Sequence, residues 1–267
     1  MHGIFQAIIF GIVQGLGEFF PISSTAHLIL LPYFTGWPDP GLAFDVVLHL
    51  GTLLAVLSFF WKDWVKIFQS AKSSLSQGFS GFKKEILFYI IIGTIPGGFL
   101  GFLFDKKAET TFRSPLLIAG ALIIVGIILY WADKKFKGTR NIKGVSLKDS
   151  VIIGLAQAMA IIPGISRSGA TISTALWRKL DKVNAARFSF LLSTPIIAGA
   201  AILELPHLFE NGLSAFIIFG ILSSAISGFL AIKYLLKYLE RHSYKLFFLY
   251  RLILGLIIFL VYFIKKF

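Results

Sequence analysis

The chain has 267 residues, 56% of them hydrophobic and 15% charged, with a mean hydropathy of +0.81 and a formal net charge of +13. A soluble domain of this length needs more charge to cover its surface, and several runs of roughly 18 residues nearly free of charge have the length of a membrane span. The runs are continuously apolar, which excludes the alternating pattern of a membrane β-barrel; the absence of cysteine removes disulfides, thiolate nucleophiles and cysteine-ligated metals.

The N-terminal "MHGIFQAIIFG" has no basic n-region and reads as mature protein. Residues 3–31 are apolar but broken midway by Pro21 and a run of hydroxyls, which predicts a helix, a turn and a second short helix. Full spans are predicted at 44–61, 86–104 and 115–132. A second broken region follows at 150–177, interrupted at Pro163, and then three more spans at 188–204, 213–232 and 246–264. The expected fold is an all-α polytopic membrane protein with six transmembrane helices and two re-entrant helix-turn-helix hairpins. Non-helical backbone at membrane depth is tolerated only where it is buried in protein or faces a wet cavity.

Lysine and arginine are unevenly distributed. Loops 62–85, 133–149, 178–187 and 233–245 hold five, six, four and four of them, whereas 32–43 and 205–212 hold none and 105–114 three. The rich loops are expected to face the cytoplasm, so the positive charge reads as cytoplasmic loops and not as a nucleic-acid surface. Hairpin 3–31 then dips in from outside and hairpin 150–177 from inside. The chain becomes a single membrane domain of two inverted repeats, 3–132 and 150–264. "IIFGIVQG…PISS" parallels "VIIGLAQA…PGISR": Gly11 matches Gly154, Gln14 matches Gln157 and Ser23 matches Ser166, at a common offset of 143. Inverted repeats with broken helices place their site where the breaks meet.

The second break, "PGISRSGAT", sets Ser166, Arg167 and Ser168 between a Pro-Gly stop and a new helix. Backbone N–H groups at a helix start, hydroxyls and a guanidinium suit an anion with several oxygens. Arg167 at this depth needs a partner, Glu18 or a bound phosphate; the plainer reading is an arginine that snorkels or pairs for packing. In the first break Glu18 and His27 flank Ser23, Ser24 and Thr25, hydroxyls that can cap the following helix or react. A nucleophile, a base and an orienting acid are the parts of nucleophilic phosphoryl transfer, with an arginine for the transferring oxygens. Gln14 lies one turn before Glu18 on the same face. Asp45 and His49, four apart near the outer start of a span, read as interfacial, with lining the entry as the alternative; Arg251 reads as a snorkelling side chain, and His2, His207 and His242 as peripheral. No Walker loop or zinc-type histidine pair is present.

These motifs resemble those of the bacterial undecaprenyl-diphosphate phosphatase family, the bacitracin-resistance type. The resemblance rests on "QGLGE" (Gln14, Glu18), "PISSTAH" and the complete "PGISRSGAT" from Pro163 to Thr171, and spans nearly the whole chain. Ala26 stands where the family usually has glycine. The resemblance implies hydrolysis of undecaprenyl diphosphate to undecaprenyl phosphate and inorganic phosphate at a site open to the outer face of the plasma membrane. That reaction recycles the lipid carrier for wall polymers and confers bacitracin resistance. It implies a divalent cation, Mg2+ or Ca2+, with Glu18 as a ligand. It also implies a catalytic set of Glu18, Ser24, His27 and Arg167, supported by Gln14, Ser23, Thr25, Ser166, Ser168 and Thr171. The expected roles are Ser24 as nucleophile, His27 as the base that takes its proton and Glu18 as the acid that orients His27 or helps bind the metal. His27 as nucleophile is the runner-up, and a lipid-phosphate transporter is the alternative from another class.

Overall fold

The structure, a computed structural model, describes residues 3–76, 78–109, 111–211 and 214–266. α1 (Ile4–Phe19) ends two residues before Pro21, whose ring disfavours helical backbone in the residue ahead of it. α2 (Ser24–Thr35) follows the turn and closes on Gly36 in the left-handed region, at φ 71°. α3 (Leu42–Phe59) bends by 72° into α4 (Trp61–Ser76). A single turn, α5 (Phe79–Phe82), leads to α6 (Ile86–Glu109) and then α7 (Pro115–Lys135), which opens with proline at its first position. The second hairpin is α8 (Leu147–Ala158), a 3-10 turn at Met159–Ile161, and α9 (Arg167–Trp177). The chain closes with α10 (Lys182–Asn211), α11 (Ala215–Leu239) and α12 (Lys245–Lys266).

The protein is an all-α polytopic membrane protein. Among the described residues α6, α7, α10, α11 and α12 contain stretches long and apolar enough to cross a bilayer, and the bent pair α3–α4 passes the same test only when its two helices are taken together. Large apolar side chains cover the outside, among them Phe99, Phe102, Ile124, Ile253 and Leu260. That surface suits hydrocarbon and would be costly in water. Inside, Phe19, Phe60, Phe188 and Phe190 are fully buried, and Phe19 meets Phe190 edge-on at 5.2 Å.

Two expectations need correction. Residues 62–85 are not a plain loop, because most of them form the amphipathic helix α4. Trp64, Ile67 and Ala71 are buried on one face, and Lys62, Lys66 and Lys72 are exposed on the other. Run length detects spans but not a 3.6-residue period among charges. Residues 178–187 are likewise only part loop, since α10 begins at Lys182. His2 and the side chain of His207 lie outside the described residues.

The repeats pack reciprocally. A Cβ at Gly11 would stand 2.4 Å from the Gly220 carbonyl oxygen, and one at Gly154 would stand 2.4 Å from that of Gly93. The first arm of each hairpin therefore lies flush on a span of the other repeat, α1 on α11 and α8 on α6. α3 and α10 run antiparallel, and so do α7 and α12. At one end Arg187 of α10 pairs with Asp63 just past α3, while His49 and Ile197 meet around one cavity further along both helices. In the α7–α12 pair, Gly126 faces Arg251 and Gly255 faces Ile123.

Candidate active site

Both breaks use the same local device. Ser23 and Ser166, equivalent in the repeat, hold positive φ angles of 77° and 68° just before α2 and α9. For non-glycine residues this conformation costs on the order of 1–3 kcal/mol and persists only when the surroundings over-determine it. The surroundings do so here. The Gly164 N–H donates to Ser23 Oγ at 3.1 Å, and the Ser168 hydroxyl donates to the Phe20 carbonyl at 3.2 Å. Ser166 Oγ accepts the Gly169 N–H at 3.1 Å, capping α9. The two breaks therefore face each other.

Arg251 completes this junction, and its expected role is overturned. It does not snorkel: it is fully buried. Its guanidinium donates to the carbonyls of Pro21 (3.0 Å) in the first turn, Gly164 (2.7 Å) and Ile165 (3.2 Å) in the second, and Leu122 (2.9 Å) and Ala121 (3.3 Å) in α7. A buried cation is tolerated when it is fully hydrogen-bonded, and here carbonyl dipoles do that work.

Glu18 is the hub of the cavity that results. Its Oε2 accepts the Ser24 hydroxyl at 2.8 Å and the Gln14 side-chain N–H at 3.1 Å. Its Oε1 lies 3.2 Å from Arg167 Nη2. Arg167 also donates to the carbonyls of Glu18 (3.3 Å) and Ser189 (3.1 Å), which aims it along the hairpin junction. Gly17 makes this possible: a Cβ there would stand 2.7 Å from Ser24 Cα, so only glycine lets α2 fold back over Glu18. The cavity, about 220 Å3, is lined by Glu18, Ser23, Ser24, Thr25, Ser166 and Arg167 from the predicted set.

Four predicted residues do not line the cavity; one of them, Gln14, reaches it only through its bond to Glu18. Ser168 and Thr171 do not line the cavity but brace α9, Thr171 through the Arg167 carbonyl (2.8 Å) and the Ser189 hydroxyl (2.6 Å). His27 is turned away from Ser24. Its Nδ1–H donates to the Ser23 carbonyl at 2.7 Å, and its Nε2 meets the Tyr250 hydroxyl at 2.6 Å, with the rings stacked. Two residues were missed. His49, expected at the interface, lines the cavity with Nε2 3.5 Å from Glu18 Oε2, and its Nδ1–H donates to the Asp45 carbonyl at 2.8 Å. Gln157 also lines it, and its buried Oε1 has no hydrogen-bond partner among the described residues. The signal for Gln157 was its repeat match to Gln14; that for His49 was its place one turn from Asp45 near the outer start of a span, where lining the entry was the alternative to the interface.

The family model described as bacitracin resistance protein BacA matches residues 7–257. The chain belongs to the BacA family. It is 51% identical over 263 residues to the undecaprenyl-diphosphatase of Moorella thermoacetica, covering 98% of this chain and 99% of that one. It is 48% identical over 253 residues to the undecaprenyl-diphosphatase of Pelotomaculum thermopropionicum (95% and 94%). With that of Thermodesulfovibrio yellowstonii it is 45% identical over 271 residues and the whole of both chains. In this BacA-family member one carboxylate, one guanidinium and several hydroxyls line one side of a partly open cavity whose remaining wall is largely apolar. Such a cavity has room for a phosphate-bearing group and holds a hydroxyl already bonded to a carboxylate.

Proposed function

We propose that the chain hydrolyses undecaprenyl diphosphate to undecaprenyl phosphate and inorganic phosphate, and so returns the lipid carrier to wall synthesis and confers bacitracin resistance. The observation that carries this is the Ser24 hydroxyl bonded to Glu18 beside Arg167, in a cavity built where the two breaks meet. Ser24 Oγ attacks the terminal phosphorus while its proton passes to Glu18 Oε2. The bond from that phosphorus to the bridging oxygen breaks, and undecaprenyl phosphate leaves. Water then attacks the phosphoserine, releasing inorganic phosphate and restoring Ser24. Arg167 and the N–H groups at the start of α9 hold the phosphoryl oxygens. His27 acts through the turn it braces at the Ser23 carbonyl, since both its ring nitrogens are engaged away from the cavity. This favours serine over histidine as nucleophile.

A divalent cation, Mg2+ or Ca2+, fits as a companion of the diphosphate. No group of three His, Cys, Asp or Glu residues gathers among the described residues, so the protein would offer Glu18 and neutral oxygens such as the unpartnered Gln157 Oε1. Magnesium commonly takes one or two carboxylates and completes its shell with phosphate and water. Bound there, the cation would neutralise phosphate charge.

The cavity also borders Ala200, near the end of α10 that leads to segment 205–212, which holds no lysine or arginine. This supports a site open to the outer face of the plasma membrane. The reciprocal packing at Gly11 and Gly154 supports one domain of two repeats, 3–132 and 150–264.

The test is phosphate release from a prenyl diphosphate by wild type, Ser24→Ala, His27→Ala and Arg167→Ala, with and without magnesium. Ser24→Ala and Arg167→Ala should lose roughly 10²–10⁴ in rate while staying folded, and His27→Ala less. Acid-stable phosphoserine should be trapped from wild type alone. Folded wild type that releases no phosphate would transfer the site to lipid-phosphate transport.

A further inference from the structure

The face rich in lysine and arginine holds a second cavity, about 350 Å3, that shares no residue with the one between the hairpins. Three lysines from three separate segments converge on it: Lys66 from α4, Lys84 just ahead of α6, and Lys143 from the turn between α7 and α8. The other charges on its wall are already engaged. Arg187 pairs with Asp63 at 2.7 Å and lies over the Phe60 ring. Glu85 accepts the hydroxyls of Ser70 (2.8 Å) and Ser74. Among the described residues none of the three lysines has an ion-pair partner. Four cations against two carboxylates leave the wall at +2. Like charges gathered this way repel one another, and an anion between them reverses the sign.

The floor of the cavity is apolar, formed in part by Ile67, Ile86 and Leu191. Its flank is α4, bent 72° from α3, with Trp61, Val65 and Phe68 turned outward. An amphipathic helix with basic and aromatic sides lies along a bilayer surface, its apolar side among acyl chains. The cavity thus meets the bilayer at headgroup depth, with positive charge above apolar surface. That is the complement of a phosphate head on two hydrocarbon tails.

We propose that this cavity binds the head of an anionic phospholipid, with Lys66, Lys84 and Lys143 on its phosphate and the acyl chains along the apolar flank of α4. Free phosphate shares the head's chemistry but lacks the tails that α4 is placed to meet.

The full chain is placed in zwitterionic nanodiscs doped with phosphatidylglycerol, and the lipid it retains is counted by native mass spectrometry. Wild type is compared with Lys66→Gln/Lys84→Gln/Lys143→Gln and with Lys62→Gln/Lys72→Gln/Lys148→Gln, which removes equal charge from outside the cavity. Wild type and the control should retain phosphatidylglycerol, and the cavity variant at least ~10-fold less, given about 1 kcal/mol per lysine near a charged surface. Lys143→Gln alone, which keeps the comparison independent of how the triple variant folds, should retain ~5-fold less. Equal retention by all proteins would overturn the proposal. So would equal loss from both triple variants, which means diffuse attraction, or displacement by an equal concentration of inorganic phosphate, which means a free-anion site.

Discussion

Gly17 shows how one residue without a side chain positions two that have them. A methyl group there would press on Ser24 Cα, a backbone atom that no rotamer change can move aside. Gly17→Ala should therefore shift Ser24 off Glu18 and cost roughly 1–3 kcal/mol of stability. Phosphate release should fall by far more than the lowered melting temperature explains, and an active, equally stable variant would refute this. At this scale Gln14, Glu18, Ser24 and Arg167 were legible in the sequence, because they sit beside breaks that had to be polar. Arg251 was not. Its partners are five backbone carbonyls in three segments, and a carbonyl belongs to every residue type alike. His49 was legible only as an alternative, since only the packing of α3 against α1 brings it to Glu18.

Among the elements, the hairpins follow from proline, glycine and hydroxyls interrupting apolar runs, whereas α4 was hidden among its lysines. The foot of the second hairpin carries its own anchor. Ser146 and Asp149 form a capping box for α8, and Asp149 is bonded to Arg140 and Arg178, both at 2.6 Å. Burial by itself would raise this carboxyl's pKa. The hydrogen bonds from Arg140, Arg178 and Ser146 overcome that effect and hold it at about 2, below the ordinary 3.8. A carboxylate depressed by folding stabilises above its unfolded pKa, and that contribution is lost as pH falls through the folded value. The stabilisation by Asp149 should thus be complete above about pH 4 and disappear toward pH 2. Melting temperatures measured between pH 6 and 2 should show Asp149→Asn less stable than wild type near neutrality, with the difference shrinking as acid is added. A constant difference would mean that the anchor is not ionic.

The two halves of the chain interlock through their hairpins at matching glycines, so damage to these two contacts should have equivalent results. Gly11→Val and Gly154→Val both drive a side chain into a carbonyl oxygen of the opposing span. Each should cost about 1–3 kcal/mol or more by overpacking, seen as a lower melting temperature in detergent. If only one of them destabilised the protein, the two packings would not be equivalent.

The sequence by itself determined the membrane class, the positions of the spans and hairpins, and most of the polar residues that line the cavity between the hairpins. Each of these is written in local composition: apolar runs that exclude water, prolines that stop helices, and lysines kept to one set of loops. Only the tertiary structure decided which polar groups meet. It brought His49 and Gln157 to the cavity, paired His27 with Tyr250 instead of Ser24, and buried Arg251 between the two turns. Those outcomes depend on how helices distant in sequence close on one another, and the hydropathy of a segment carries no record of its neighbour.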